Sequence, residues 1–232
     1  MNICIIPARK GSKRIKNKNI KKINGKPIMG IVIKKLVKMS FFDHIIVSTD
    51  SKRYEKISYK YGANIVLSRN KKLSADNIGI NQVVYDVLNK LKLKKIYPKL
   101  IVCIYPTSIF IDKKKIVDGI NLFKNKKFNF VISATNFSHP IQRSFTIRNY
   151  SIKKNFKGFE NIQTQKIEKN YFDAAQFYIG NLNSWTNYRT VFTGNTGAIE
   201  LSKDQCQDID EITDWKLAEM IYKKNQKKSK KI

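Results

Sequence analysis

Short apolar runs alternate along the chain with stretches of helical period. Asn2 to Ala8 (NICIIPA) reads as a β-branched strand that stops at Pro7. After a polar loop, Ile28, Ile31, Val32, Leu36 and Met39 recur at helical spacing, with Pro27 tolerated in the first turn. His44 to Asp50 (HIIVSTD) is a second strand; a helix-like stretch runs on to Gly62, and Ala63 to Arg69 (ANIVLSR) is a third strand. Ile80, Val83, Val84, Val87, Leu88 and Leu91 again mark a helix, within Ile78 to Leu91. Leu100 to Ser108 (LIVCIYPTS) is the most apolar strand and is expected at the centre of the sheet, because strands covered on both faces lose alternation. Phe128 to Thr135, Gln176 to Gly180 and Gly197 to Leu201 complete the strands, and Glu211 to Lys223 is an amphipathic closing helix.

Strands alternating with helices predict an α/β fold, a mostly parallel sheet between helices. The 232 residues suit one domain over residues 1–222; 137–170 has few regular signals and reads as an excursion from the core. In such sheets ligands bind beyond the carboxyl ends of the strands, so Ala8–Arg9, Ser48–Asp50, Arg69, Pro106–Ser108 and the segment after Leu201 are expected to converge on one crevice.

Composition narrows the class. No run approaches a membrane span and no secretory signal pattern opens the chain, so the expected location is the cytoplasm, with no membrane partner. Cys4, Cys103 and Cys206 lack the paired spacing of zinc or redox motifs; Cys4 and Cys103 read as buried apolar residues in strands. The net charge of +29 raises nucleic-acid binding, but the lysines are scattered, as A/T-biased codon usage produces, and no RNA-binding aromatic motif is present. Nucleic acid is therefore not the expected partner. Six lysines crowd residues 223–232, which read as a disordered basic tail.

Two segments bear chemistry. Pro7 to Asn19 (PARKGSKRIKNKN) follows the first strand; its glycine permits close backbone approach, and Arg9, Lys13 and Lys18 suit a triphosphate. It matches neither the Walker loop nor the dinucleotide fingerprint, and the competing reading is a solvated basic loop. Gln207 to Asp214 (QDIDEITD) places Asp208 and Asp210 at i and i+2, facing one way in extended chain and able to share a Mg²⁺ ion; the alternative is an ordinary acidic helix start.

PARKGSKR, IIVSTD, LSADN (Leu73 to Asn77), YPTS (Tyr105 to Ser108) and DIDEITD occur in the order and approximate spacing of the acylneuraminate cytidylyltransferases, which the chain resembles over nearly its whole length. Ser138 to Phe145 (SHPIQRSF) and Tyr171 to Gly180 (YFDAAQFYIG) look most like the pseudaminic acid branch. The resemblance implies a three-layer α/β/α fold of the nucleotide-diphospho-sugar transferase, Rossmann-like kind, a homodimer, and Mg²⁺-dependent transfer of CMP from CTP to the anomeric hydroxyl of a nonulosonic acid, with release of pyrophosphate. It implies catalytic roles for Arg9, Lys13, Asp208 and Asp210, the two aspartates holding metal. Nucleotide contacts fall to Ala8, Arg9, Gly11, Ser12, Lys13, Lys18 and Asn19, to Arg69, Ser74 and Asp76 on the cytidine side, and to Tyr105, Pro106 and Thr107. Sugar contacts fall to Thr107, Ser108, Gln142, Arg143, Gln176 and Tyr178, and the excursion serves dimerisation and sugar binding. The sialic acid branch has Gln where this chain has Tyr105. His139, followed by Pro140, reads as structural. Competing readings are a synthetase for sialic or legionaminic acid, a nucleotide-sugar glycosyltransferase, and a nucleic-acid-binding module.

Overall fold

The structure, a computed structural model, describes residues 1–228. In chain order the strands are β1 (Asn2–Pro7), β2 (Lys22–Ile23), β3 (Lys26–Pro27), β4 (His44–Thr49), β5 (Ile65–Ser68), β6 (Leu100–Ile104), β7 (Phe130–Asn136), β8 (Phe145–Arg148), β9 (Ser151–Lys154), β10 (Tyr171–Gly180) and β11 (Thr196–Glu200). The helices are α1 (Ile28–Met39), α2 (Lys52–Tyr61), α3 (Ile80–Leu93), α4 (Lys113–Lys126), α5 (Leu182–Asn187) and α6 (Ile212–Lys228). Seven strands form one sheet in the order β11-β7-β10-β6-β1-β4-β5, with β6 in the middle, where its five buried residues place it. All neighbours are parallel except β10, which runs antiparallel to both β6 and β7.

Alternate residues of the strands feed two cores. Cys4, Ile6, Val47, Val102 and Ile104 pack with α1, α4 and α6 on one face; Ile3, Ile5, Ile46, Ile101 and Cys103 pack with α3 and α5 on the other. Helices on both faces of a mostly parallel sheet give the three-layer α/β/α architecture. Burial pushes the Cys4 and Cys103 thiols well up, so both stay protonated and apolar in character.

Local chemistry starts and stops the helices. Ser51, Asp112 and Asn181 each accept a backbone N–H at an N-terminus, at 3.4, 2.9 and 2.8 Å, a cap that contributes about 1 kcal/mol. Gly62, at φ 103°, closes α2 in the left-handed conformation that a side chain resists.

Helix α4 lies in a segment that the strand–helix pattern leaves unassigned. Its apolar face is Ile116, Ile120 and Phe123, and at Gly119 an added Cβ would stand 2.7 Å from Ile179, so glycine lets it lie close on the sheet. The basic tail also departs from expectation: α6 continues to Lys228, held by a Lys223–Glu219 pair at 3.2 Å and by Tyr222 against the core. The rest of that tail, residues 229–232, lies outside the described residues. The excursion contains one hairpin, β8–β9, every residue of which is exposed. Among the described residues no helix is long and apolar enough to cross a membrane.

Candidate active site

A cleft of about 510 Å³ opens beyond the carboxyl ends of β1 and β6. Pro7 lines it from the end of β1, Arg9, Gly11, Ser12, Lys13, Arg14, Ile15, Lys18 and Asn19 from the loop that follows, Tyr105, Pro106 and Thr107 from beyond the end of β6, and Asp76 and Asp210 from farther along the chain. The loop is anchored before it reaches the cleft. The Ala8 amide donates to Ser48 O at 2.9 Å, the Lys10 amide to Asp50 at 2.7 Å, and the buried Asn19 amide group to Arg9 O at 3.0 Å.

Each aspartate in the cleft is bridged by two cations. Asp76 takes Arg9 at 2.7 Å and Lys13 at 2.6 Å, and these partners, hydrogen bonding before charge, hold its carboxyl below the usual range. Arg9 also donates to Ser74 O at 3.0 Å. Asp210 takes Arg14 at 2.5 Å and Lys18 at 3.1 Å, and Lys18 reaches on to Ile209 O at 2.6 Å. Burial works to raise the Asp210 carboxyl, but Lys18 and Arg14 outweigh it and leave it low. Asp208 is exposed at its edge, yet desolvation by the surrounding atoms, and then the like charge of Asp210, push its carboxyl up. Asp214 accepts from the amides of Asp210 (3.0 Å) and Glu211 (2.7 Å), so it caps α6. Both readings of the acidic segment therefore have residues to serve them, Asp214 for the helix start and Asp210 for the cleft. The group Asp208–Asp210 offers carboxylate oxygens at i and i+2, the hard donors that Mg²⁺ takes, with phosphate and water left to complete its shell. Among the described residues no cluster of three metal-ligating side chains exists.

Other expected site residues sit behind this wall. Arg69 is buried and donates to Ser48 Oγ (3.1 Å) and Ser48 O (2.8 Å); desolvation brings its pKa down to about 10. Ser108 donates to Gln176 O at 3.0 Å. The Gln176 side-chain amide donates to Ala174 O at 2.9 Å, and its Oε1 is buried with no partner in the structure. Tyr178 is buried, packs edge-on against Tyr105 with ring centroids 5.8 Å apart, and donates to Asp173 at 2.5 Å. Gln142 and Arg143 lie in the excursion, lining a separate pocket of about 240 Å³ with Phe145 and Ile152. The Arg143 guanidinium bonds to Phe159 O, Ile162 O and Thr164 Oγ1, all within the excursion. The structure does not bring these two residues to the cleft of their own chain. Arg14 and Asp173 went unassigned from sequence. Arg14 sat among equivalent-looking cations of one loop, and nothing in the local pattern of Asp173 marks its reach.

A cationic cleft where parallel strands end is, in position and charge, suited to an anionic ligand of an α/β protein. The family described as cytidylyltransferase matches residues 3–229. The pseudaminic acid cytidylyltransferase of Campylobacter jejuni is 31% identical over 229 residues, 97% of this chain and 97% of that one. The N-acylneuraminate cytidylyltransferase of Escherichia coli is 29% identical over 97% of this chain and 53% of that one. Among solved structures, CMP:2-keto-3-deoxy-manno-octonic acid synthetase complexed with CTP superposes with a TM-score of 0.73 at 12% identity, covering 97% of this chain and all of that one, a likeness of fold. The chain belongs to the cytidylyltransferase family.

Proposed function

We propose that the protein transfers CMP from CTP to the anomeric hydroxyl of pseudaminic acid, releasing pyrophosphate, and that it acts in the cytoplasm as a homodimer. The observation that supports this most is the single cleft shared by the first-loop cations and Asp210, which are joined by Lys18 across more than 190 residues of sequence. The 31% identity to the Campylobacter jejuni enzyme supports the choice of acid.

Chain chemistry suggests how the step proceeds. Asp76 occupies Arg9 and Lys13 through exposed ion pairs, which are weak and readily exchanged, so a triphosphate entering the cleft would take over both cations. Arg9 and Lys13 would then stabilise the departing pyrophosphate, while Arg14 and Lys18 hold Asp210 in place. Asp208 and Asp210 would hold Mg²⁺, which when bound supplies charge neutralisation at the α-phosphate. The remaining contribution is positioning of the acid's hydroxyl in line with phosphorus, which requires no covalent intermediate. The exposed Phe145, Ile147, Tyr150 and Ile152 of the β8–β9 hairpin suit a dimer contact.

The test is pyrophosphate release from CTP with pseudaminic, legionaminic and sialic acids offered separately, alongside sedimentation of the free protein. Pseudaminic acid should give the highest kcat/KM, by at least about a hundredfold, the discrimination that one mismatched polar contact supports. Equal use of sialic acid would overturn the assignment, and a monomer at micromolar concentration would remove the dimer.

A further inference from the structure

A second cavity, of about 450 Å³, shares no lining residue with the cleft. Four lysines line it: Lys26 just before α1, and Lys34, Lys35 and Lys38 on that helix. Lys38 lies one turn from both Lys34 and Lys35, a spacing at which like charges repel and cost the helix stability. No acidic residue lines the cavity, and among the described residues none of the four ammonium groups is ion-paired. Aromatic rings come from three other elements: Tyr61 at the end of α2, Phe110 after β6, and Tyr222 on α6. Phe110 is buried and the two tyrosines are half-buried. Unpaired cations beside aromatic rings, in a concave site of this size, suit a ligand that carries phosphate on a flat ring body.

Lys35 ties this cavity to the cleft. Its ammonium donates to Ile109 O at 3.1 Å. Burial pulls its pKa below the ordinary lysine value, against an opposing pull from Asp112. The Asp112 carboxylate is engaged by the Lys115 amide at 2.9 Å and by Gln205 at 2.8 Å. Ile109 and Phe110 line the cavity, whereas Tyr105, Pro106 and Thr107 line the cleft. Between them the Ser108 amide donates to Tyr105 O at 3.1 Å and the Ile109 amide to Thr107 O at 2.8 Å, so residues 105–110 form one tight turn that borders both. An anion at Lys35 would favour a charge that is now partly desolvated. An ammonium has three hydrogens to give, so its bond to Ile109 O could stay in place.

We propose that this cavity is a second ligand site, which takes a nucleotide by its phosphate on Lys34, Lys35 and Lys38 and by its base among Tyr61, Phe110 and Tyr222, and that its occupation steadies the 105–110 turn and so favours CTP in the cleft. The effect on CTP rests on the function proposed above; the site itself does not.

Calorimetric titration of the full chain with AMP, ribose 5-phosphate and inorganic phosphate tests the site. AMP should bind at least about tenfold more tightly than ribose 5-phosphate, the scale of one stacked base. No binding of AMP, or equal affinities for all three, would overturn the nucleotide site. Lys34→Ala combined with Lys38→Ala, both exposed, should weaken AMP binding about tenfold or more, as should Lys35→Ala, whereas Arg9→Ala in the cleft should leave it within about twofold. The reverse pattern would put AMP in the cleft and overturn the site; should Lys35→Ala fail to fold, the double variant decides. In pyrophosphate release, saturating AMP should lower KM for CTP about fivefold, a modest coupling between sites. A competitor in the cleft raises that KM, and a raised or unchanged value overturns the coupling. Absence of turnover with every acid overturns the proposed function and the coupling with it, while the titrations still decide the site.

Discussion

The cleft and the excursion are held together in opposite ways. In the cleft, Lys18 reaches Asp210 across 192 positions of sequence and Arg9 reaches Ser74 across 65. In the excursion, Arg143 finds all its partners within 21 positions, and Gln142 within 26. The cleft therefore exists only once the whole sheet is assembled, whereas the excursion organises itself and leaves the apolar side chains of its hairpin outward. Residues brought together by the global fold are aimed at a shared centre; residues satisfied locally are aimed at one another, and need a further partner to acquire a use.

Loss of Asp210 from the cleft, or of Asp208 two residues before it and outside the cleft lining, should separate the two regions most. Asp210→Ala and Asp208→Ala should each lower kcat by about a hundredfold or more, the scale for removing an electrostatic element of catalysis. Steady-state pyrophosphate release measures it, and near-normal turnover in both would take the aspartates out of the centre. Asp208→Asn carries a second expectation. Its folded pKa is raised, so the stability this group contributes is present below its unfolded pKa and lost as pH rises through the folded value; at neutral pH its charge is a net cost. The amide variant should therefore melt slightly higher at pH 7 while losing turnover, and the gain should vanish in acid.

A smaller contrast lies between the two arginines. Arg9→Ala should raise KM for CTP about tenfold or more, as expected for a lost charged hydrogen bond, while Arg143→Ala should change KM for the acid only. If Arg143→Ala alters neither, the excursion has no part in acid binding.

Smallest are two asparagine truncations. Asn19 is buried and donates to Arg9 O, so Asn19→Ala should cost about 1–3 kcal/mol in urea unfolding. Asn155 in the excursion donates to Ser144 Oγ at 2.9 Å while exposed, so Asn155→Ala should stay within about 0.5 kcal/mol. Equal costs would mean that the excursion shares the cooperative core.

The same contrast explains what was legible in the sequence. Strands such as Leu100–Ile104 announce themselves because burial on both faces demands an unbroken apolar run, and the basic loop after β1 is marked by position as much as by charge. Helix α4 escaped notice because its lysines dilute a face of only three buried large residues and a glycine interrupts it. The tail misled because lysine content alone says nothing of Tyr222, whose packing extends α6. Contacts across the fold left no local trace at all. Neither the left-handed backbone of Ala175, at φ 48°, nor the grip of Asp173 on Tyr178 follows from YFDAAQFYIG, since the register of β10 is decided by two neighbours from elsewhere in the chain.

Because β10 runs antiparallel to β7, the excursion leaves and re-enters the sheet at one doorway: Asn136 pairs with Tyr171, and the Phe137 amide donates to Asn170 O at 3.1 Å. Residues 137–170 are thus stitched shut at their base, a cassette whose seams are already two hydrogen-bonded neighbours. Exchanging that cassette for one from a related chain would ask nothing new of the scaffold, so evolution could revise the outer module repeatedly while the cleft at the ends of β1 and β6 stayed as it was.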